Sequence, residues 1–155
     1  MAVGVNTDSI TKSVLLKAPR SRVWRALTNA QEFGTWFGAR LTGTFAPGAR
    51  IQGPITHKGY EHLTMYFTID KVEPERLVSW RWHPAAIEPG VDYSAEPTTL
   101  VTFELEEVDG GTRLTVVESG FDRIPAARRA EAFRMNESGW TQQMESIKRH
   151  VSTTA

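Results

Sequence analysis

The sequence predicts an α+β fold in which one antiparallel sheet packs against a long C-terminal helix. Between residues 60 and 119, several segments alternate apolar and polar residues with the period of two that is typical of strands. Over roughly the last two dozen residues, large apolar side chains instead recur at steps of four, three and four, at Trp140, Met144, Ile147 and Val151. No internal repeat divides the chain, so we expect a single domain over 10–155 behind a flexible tail at 1–9.

The N-terminal part predicts one strand followed by two short helices. The strand covers about 10–17 and stops at Ala18-Pro19. Pro19 suits the first turn of a helix because its missing N–H would have no partner there. Apolar residues then recur at helical spacing, at Val23, Trp24 and Leu27. A second helix over 30–37 groups three aromatic side chains, Phe33, Trp36 and Phe37.

The middle of the chain predicts four strands. Pro47-Gly48 marks a turn between strands near 39–46 and 49–56. The clearest alternation covers about 61–72, where the buried face carries Leu63, Met65, Phe67 and Ile69. The sequence Glu73-Pro74-Glu75 then turns the chain into a strand over 76–83. One face of that strand carries Val78, Trp80 and Trp82.

The segment 84–97 contains three prolines and a glycine and shows little periodicity. It is long for a connection inside a compact domain, and such loops often form a lid or the rim of a binding site. A hairpin follows, with strands over 98–107 and 112–119 that are joined at Asp109-Gly110-Gly111. Its apolar positions share one face, at Val101, Phe103, Leu105, Leu114 and Val116.

Several short motifs occur in the order and at the spacing of a known family. They are Ala18-Pro19 with the segment 23–28, Trp36, Arg76-Leu77-Val78 with Trp80, the segment 111–116, and Gly139-Trp140. With them the chain, from about 10 to 151, resembles the activator of Hsp90 ATPase homologue group of the START-like or Bet v1-like (SRPBCC) superfamily. The resemblance implies a helix-grip fold, in which a curved antiparallel sheet of about six or seven strands wraps the terminal helix and leaves a cavity. It implies no single activity, since relatives include lipid and hormone binders, polyketide cyclases and chaperone activators.

Composition excludes several classes of function. The 18 basic residues equal the 18 acidic ones, so no overall field attracts nucleic acid or an anionic membrane. No cysteine is present, which excludes disulfides and thiol nucleophiles. The four histidines lack the spacing of a metal site, and no phosphate-binding or dinucleotide motif occurs, so we expect neither metal nor cofactor. Without a signal sequence or a membrane span, we expect a cytoplasmic protein.

The alternation places aromatic and apolar side chains in the space between sheet and helix, with Trp36 near an entrance. Each aromatic side chain taken alone also fits a filled core. Five tryptophans in 155 residues favour a ligand cavity instead. The predicted ligand contacts are Trp36, Met65, Phe67, Trp80, Trp82, Phe103, Val116, Glu118, Asn136, Trp140 and Met144.

Glu118 lies two and four residues after Val116 and Leu114, so the alternation points its side chain inward as well and places a carboxylate at the edge of the cavity. There it would orient a ligand hydroxyl or act as a general acid or base, which makes it the candidate catalytic residue. If the alternation breaks near the end of the strand, Glu118 is instead exposed or paired with an arginine. Asn136 faces either the cavity or the solvent.

Other polar residues carry weaker predictions. His83 ends a strand beside the segment 84–97 and is either exposed or in contact with a ligand. Three residues in predicted loops have the chemistry to donate hydrogen bonds at the rim: His57, Tyr60 and Tyr93. The arginines at 20, 22 and 25 and at 128 and 129 are interpreted as solvated helix faces.

Three functions fit these patterns. The first hypothesis is a cofactor-free protein that binds a small apolar or aromatic molecule of lipid or polyketide type, with the segment 84–97 gating access. The second is an enzyme similar to polyketide cyclases and aromatases, with Glu118 transferring protons. The third is a chaperone-associated stress-response module, although 155 residues cannot hold the additional N-terminal domain of the eukaryotic activators. The sequence leaves open whether the protein is a monomer or a homodimer.

Overall fold

The computed structural model describes residues 7–86 and 91–153. Most of the predicted tail at 1–9 therefore lies outside the described residues. The first half contains β1 (Ser9–Leu16), α1 (Arg20–Thr28), α2 (Ala30–Phe37), β2 (Arg50–Pro54) and β3 (Thr64–Glu73). The second half contains β4 (Leu77–Trp82), β5 (Thr99–Val108), β6 (Gly111–Ser119), a 3-10 turn (Phe121–Arg123) and α3 (Ala126–Thr153).

All six strands form one antiparallel sheet in the order β1-β6-β5-β4-β3-β2. Strands β2 to β6 follow each other as a meander, and β6 then pairs with β1 from the other end of the chain. The register of β3 against β4 shifts between Ile69 and Lys71, and such a bulge bends a strand. The curved sheet wraps α3, which confirms the predicted α+β helix-grip fold.

The core lies between the inner face of the sheet and α3. The inward positions predicted on β3 to β6 include Phe67, Trp80, Phe103 and Val116, all completely buried. On α3, the predicted stripe of Trp140, Met144, Ile147 and Val151 is at most 4% exposed. Burying each such side chain contributes about 1.5–3 kcal/mol, so this interface stabilises the fold substantially.

The short helices α1 and α2 follow β1 as predicted. Pro19 is the N-cap of α1 rather than a residue of its first turn, and its extended backbone leads into Arg20. Asn29 caps α2 by accepting a hydrogen bond from the backbone N–H of Glu32 at 2.9 Å. Gly38 ends α2 with φ of 105°, a left-handed conformation that glycine adopts without strain.

The strand predicted near 39–46 does not form. Only isolated bridges occur there, at Ala39, Thr42 and Thr44. Glycines with positive φ, Gly38 and Gly43, interrupt the extended backbone that a continuous ladder needs. Edge strand β2 is consequently flanked by irregular chain. In the described part of the protein, no helix is both long and apolar enough to span a membrane.

Candidate functional site

The centre of the gap between sheet and α3 is filled by aromatic rings. Trp80 stacks on Phe67 with ring centroids 4.1 Å apart and an interplanar angle of 24°. Trp82 lies edge-on to Trp80 at 5.0 Å, and Trp140 on α3 lies 6.0 Å from Trp82. Offset-stacked and edge-to-face geometries are the favourable ones for aromatic pairs. The predicted rings therefore meet between sheet and helix, and they pack against each other there.

Open space lies to one side of this cluster, where β4 ends. A pocket of about 720 Å³ extends from α2 and β3 across the end of β4 to α3. Its volume is in the range of small-molecule sites. The described lining consists of Phe37, Ile55, His62, Leu63, Thr64, Met65, Tyr66, Trp82, His83, Ala85, Ala86, Val91, Asp92, Tyr93, Ser94, Met135 and Asn136.

A second, smaller pocket of about 80 Å³ lies beside the first, against the middle of α3. It shares three lining residues with the large pocket: Phe37, Trp82 and Asn136. Gly139 also lines it, and a Cβ added there would meet no atom within 4 Å. Close packing therefore does not require the glycine, whose missing side chain leaves space beside Trp140.

Glu118 lies behind the walls of both pockets and is completely buried. Its Oε1 accepts hydrogen bonds from the Asn136 side-chain amide at 2.9 Å and from the Trp140 indole N–H at 2.7 Å. Its Oε2 accepts from the Trp82 indole N–H at 2.7 Å and from the Thr99 hydroxyl at 2.5 Å. Three of these four donors belong to pocket-lining residues, so the carboxylate fixes the wall of the site.

The structure resolves the alternatives for Glu118 and Asn136. The strand alternation continues to Ser119, so Glu118 points inward, and the exposed or arginine-paired alternative is wrong. No arginine, lysine or histidine forms an ion pair with Glu118 in the described part of the chain. Four neutral donors, contributed by β4, β5 and α3, stabilise the buried carboxylate instead. Asn136 is half-buried and faces both pockets.

The structure separates the predicted contact residues into two groups. Four line a pocket, namely Met65, Trp82, Asn136 and Trp140. The other seven are buried in the packed interior: Trp36, Phe67, Trp80, Phe103, Val116, Glu118 and Met144. Trp36, expected near an entrance, is only 6% exposed, and its indole N–H donates to the backbone carbonyl of Ala26. All eleven remain predictions as ligand contacts.

Two of the arginines that are predicted to be solvated, Arg22 and Arg128, are instead mostly buried and belong to tertiary networks. Arg128 donates three hydrogen bonds to the Glu96 carboxylate, at 2.7, 3.0 and 3.3 Å, and others to the backbone carbonyls of Pro84 and Ala85. Its guanidinium also lies 4.8 Å from the centroid of the Tyr93 ring. Arg128 therefore anchors both described parts of the segment 84–97 to α3. Residues 87–90 of that segment lie outside the described chain.

Arg22, only 8% exposed, is the second of these residues. It pairs with Glu32 at 2.6 Å, and His150 on α3 contacts the same Glu32 oxygen at 2.8 Å. Burial raises the pKa of Glu32, but hydrogen bonds from His150, Arg22 and Arg25 outweigh burial and hold that pKa below its usual 4.5. The network joins α1, α2 and α3 away from the pocket lining.

Several lining residues are not predicted by the sequence pattern or are predicted only weakly. Tyr66 lies on the polar face of its strand, and no sequence signal marks it as a pocket residue. His83 is half-buried, and its ring contacts both Tyr66 and the backbone of Glu96. Asp92 is exposed, and hydrogen bonds from Ser94 lower its pKa. No group of three or more histidine, aspartate or glutamate side chains among the described residues is placed to hold a metal ion.

A sequence model of the family described as Activator of Hsp90 ATPase homolog 1-like protein matches residues 17–152. The chain belongs to this family. The match begins just after β1 and includes α3, so it covers every strand of the sheet except the first. Comparison with curated proteins gives no match.

Several solved structures share this fold at low sequence identity. Protein MLL2253 from Mesorhizobium loti superimposes with a TM-score of 0.75 at 23% identity, covering 95% of this chain and 98% of that one. The Aha1 dimer from Colwellia psychrerythraea gives 0.71 at 19%, covering 94% and 96%. DynU16, a protein in the dynemicin biosynthetic locus, gives 0.71 at 24%, and 94% of this chain spans only 48% of that one.

Proposed function

We propose that this protein binds a small, neutral, mostly apolar molecule in the 720 Å³ pocket, and that it does so in the cytoplasm, as its sequence predicts. The observation that carries the proposal is the pocket itself, together with the buried carboxylate that holds two of its wall residues, Trp82 and Asn136. A site whose polar groups are fixed before binding loses less entropy when the ligand arrives.

The charges of the lining support a neutral ligand. Neither lysine nor arginine occurs among the described lining residues, whereas the Asp92 carboxylate does. A ligand carboxylate would therefore find no strong cation and would meet a negative charge. Apolar side chains on the other wall, such as Leu63, Met65 and Met135, suit an aromatic or aliphatic body. This combination favours aromatic or polyketide-like molecules over fatty acids.

Glu118 acts in this proposal as a positioning residue rather than as a catalyst. Both of its oxygens already accept two hydrogen bonds each, which occupies the acceptor sites that a general base would use. Proton transfer would require at least one of these contacts to break. The geometry therefore favours binding over the cyclase-like alternative, and Trp82 and Asn136 become the residues through which Glu118 affects affinity.

Access to the pocket is controlled in this proposal by the anchored segment. Ala85, Asp92 and Tyr93 line the pocket, and the same stretch is held to α3 by Arg128 through Glu96. The Arg128–Glu96 pair has the specific geometry of several hydrogen bonds but is only partly shielded from water, because both side chains are more than 20% exposed. Such a contact can open and close without disturbing the core.

Isothermal titration calorimetry with 2-naphthol, a flavanone, an anthraquinone and palmitate tests the proposal. We expect saturable binding of the neutral aromatic compounds and none of palmitate. Met135→Trp, which places a large ring in the pocket, should weaken binding at least tenfold. The matched control is Gln142→Trp, on an exposed position of the same helix, which should leave affinity unchanged. If no compound binds, or if both variants bind equally well, the proposal is wrong.

A further inference from the structure

Tyr66 and His83 form a polar pair at the end of the β3–β4 ladder. Thr68 pairs with Arg81 in the register, and two residues further out Tyr66 faces His83. The Tyr66 hydroxyl lies 3.3 Å from Nδ1 of His83, and Nε2 of the same ring lies 3.1 Å from the backbone carbonyl oxygen of Glu96. Both side chains are half-buried, and both line the large pocket.

The contact with Glu96 determines which ring nitrogen carries the proton. A carbonyl oxygen can only accept a hydrogen bond, so Nε2 of His83 must be the donor. In the neutral imidazole, Nδ1 is then the acceptor, and the Tyr66 hydroxyl donates to it. The chain of contacts therefore runs in one direction, from the Tyr66 hydroxyl through His83 to the backbone of Glu96.

Because the Tyr66 hydroxyl donates to His83, its oxygen remains able to accept a hydrogen bond from a ligand. Its hydrogen is engaged with His83, and its lone pairs have no donor among the described residues. The Arg50 guanidinium lies 4.5 Å from the centroid of the Tyr66 ring and helps to fix the ring in place. An acceptor that is held at a pocket wall and polarised by a second hydrogen bond is suited to a hydroxyl group of a ligand.

We infer that Tyr66 and His83 form the hydroxyl-recognition site of the pocket, and that the ligand is an apolar molecule bearing a phenolic or alcoholic hydroxyl. The ligand hydroxyl donates to the Tyr66 oxygen, and His83 acts as a positioning residue by accepting the Tyr66 proton. Asp92, which shares the lining, disfavours a carboxylic acid at this place. This inference rests on the proposed function and specifies its ligand class.

A matched pair of probes tests the inference by calorimetry: 2-naphthol, which can donate a hydrogen bond, and 2-methoxynaphthalene, which cannot. The native protein should bind 2-naphthol about 3- to 10-fold more tightly, as one hydrogen bond provides. Tyr66→Phe should abolish this preference by weakening 2-naphthol alone. His83→Leu should reduce the preference as well, whereas His83→Asn, which keeps an acceptor near Nδ1, should restore most of it.

The outcomes distinguish this inference from the proposal on which it rests. If both probes bind but Tyr66→Phe leaves their ratio unchanged, the inference is wrong and the binding function stands. If the flavanone or the anthraquinone binds but neither naphthalene probe does, the inference is wrong and the binding function stands. If no compound of either set binds the native protein, the proposed function fails and the inference fails with it. Amide NMR spectra of each variant show whether the fold is retained. If Tyr66→Phe does not fold, the ratio measured for His83→Leu and His83→Asn decides.

Discussion

Replacing Glu118 with glutamine tests the buried carboxylate with the smallest possible change. If the new amide nitrogen faces Trp82 and Thr99, the Thr99 hydroxyl can rotate and accept, but the Trp82 indole N–H loses its acceptor. If it faces Asn136 and Trp140, the Asn136 amide can flip, but the Trp140 indole N–H loses its acceptor. One indole N–H is therefore left without a partner in either orientation.

The size of the effect follows from this count. An unsatisfied buried donor costs about 1–3 kcal/mol, and the remaining hydrogen bonds are weaker once the acceptor is neutral. We expect Glu118→Gln to lower the free energy of unfolding by about 2–3 kcal/mol. For a chain of this length, that corresponds to a decrease in Tm of roughly 4 to 12 °C. Glu118→Ala removes the acceptor of all four donors and should lower the free energy of unfolding by about 3–5 kcal/mol.

Thermal unfolding followed by circular dichroism measures the change in stability, with Glu137→Gln as the control at an exposed position of α3. The control should change the stability by less than about 0.5 kcal/mol. NMR signals of the indole N–H groups give a second readout. Those of Trp82 and Trp140 should shift in Glu118→Gln, while that of Trp36 should not, because its partner is the Ala26 carbonyl. The reasoning is refuted if Glu118→Gln is as stable as Glu137→Gln and the indole signals of Trp82 and Trp140 do not shift in Glu118→Gln.

Four further predictions concern other parts of the fold. Gly34→Ala should destabilise the protein by about 1–3 kcal/mol, since its Cβ would lie 2.2 Å from a backbone carbonyl oxygen. Gly139→Ala should instead stabilise α3 by about 0.5–1 kcal/mol. Urea unfolding measures both variants, and a Gly34→Ala variant more stable than Gly139→Ala would contradict both predictions. The lowered pKa of Glu32 contributes stability that is fully present above about pH 4.5 and is lost as the pH falls through the lower folded pKa. Glu32→Gln should accordingly lower the free energy of unfolding by about 2 kcal/mol at pH 6 and by progressively less as the pH falls below 4.5. A loss that does not change with pH would disprove this origin. Arg128→Lys removes the contact of the guanidinium with the Glu96 carboxylate, so backbone hydrogen exchange at residues 84–86 and 91–97 should become faster with little change in Tm. The control Arg134→Ala, on the exposed face of α3, should leave that exchange rate unchanged.

The spacing of apolar residues within each segment was sufficient to predict the architecture. Alternation along the strands and the four-three-four stripe from Trp140 predicted every strand and α-helix of the described chain. The strand expected at 39–46 does not form, and the 3-10 turn at Phe121–Arg123 was not predicted. The missing strand has a local cause that sequence reasoning could have weighed, since Gly43 has positive φ and cannot continue a ladder. The same alternation gave the inward parity of Glu118 but not what surrounds it.

The site was less accessible to sequence reasoning, because its parts meet only in the folded chain. The donors to Glu118 lie 18 to 36 residues away from it, on two other strands and a helix. Tyr66 and His83 are 17 residues apart and contact each other only through the register of β3 and β4. Arg128 was interpreted as a surface cation because nothing in its own helix indicates that Glu96 lies opposite.

The sequence by itself determined the fold class, the strand and helix periods and the residues that face the core, because these depend on the spacing of apolar side chains within each element. The tertiary structure alone decided where space remains and how the buried polar groups are satisfied. Aromatic rings fill the centre of the gap and leave the pocket at the end of β4, since ring packing depends on the distance and angle between elements. Those distances are set by the whole fold and are not encoded in any one segment.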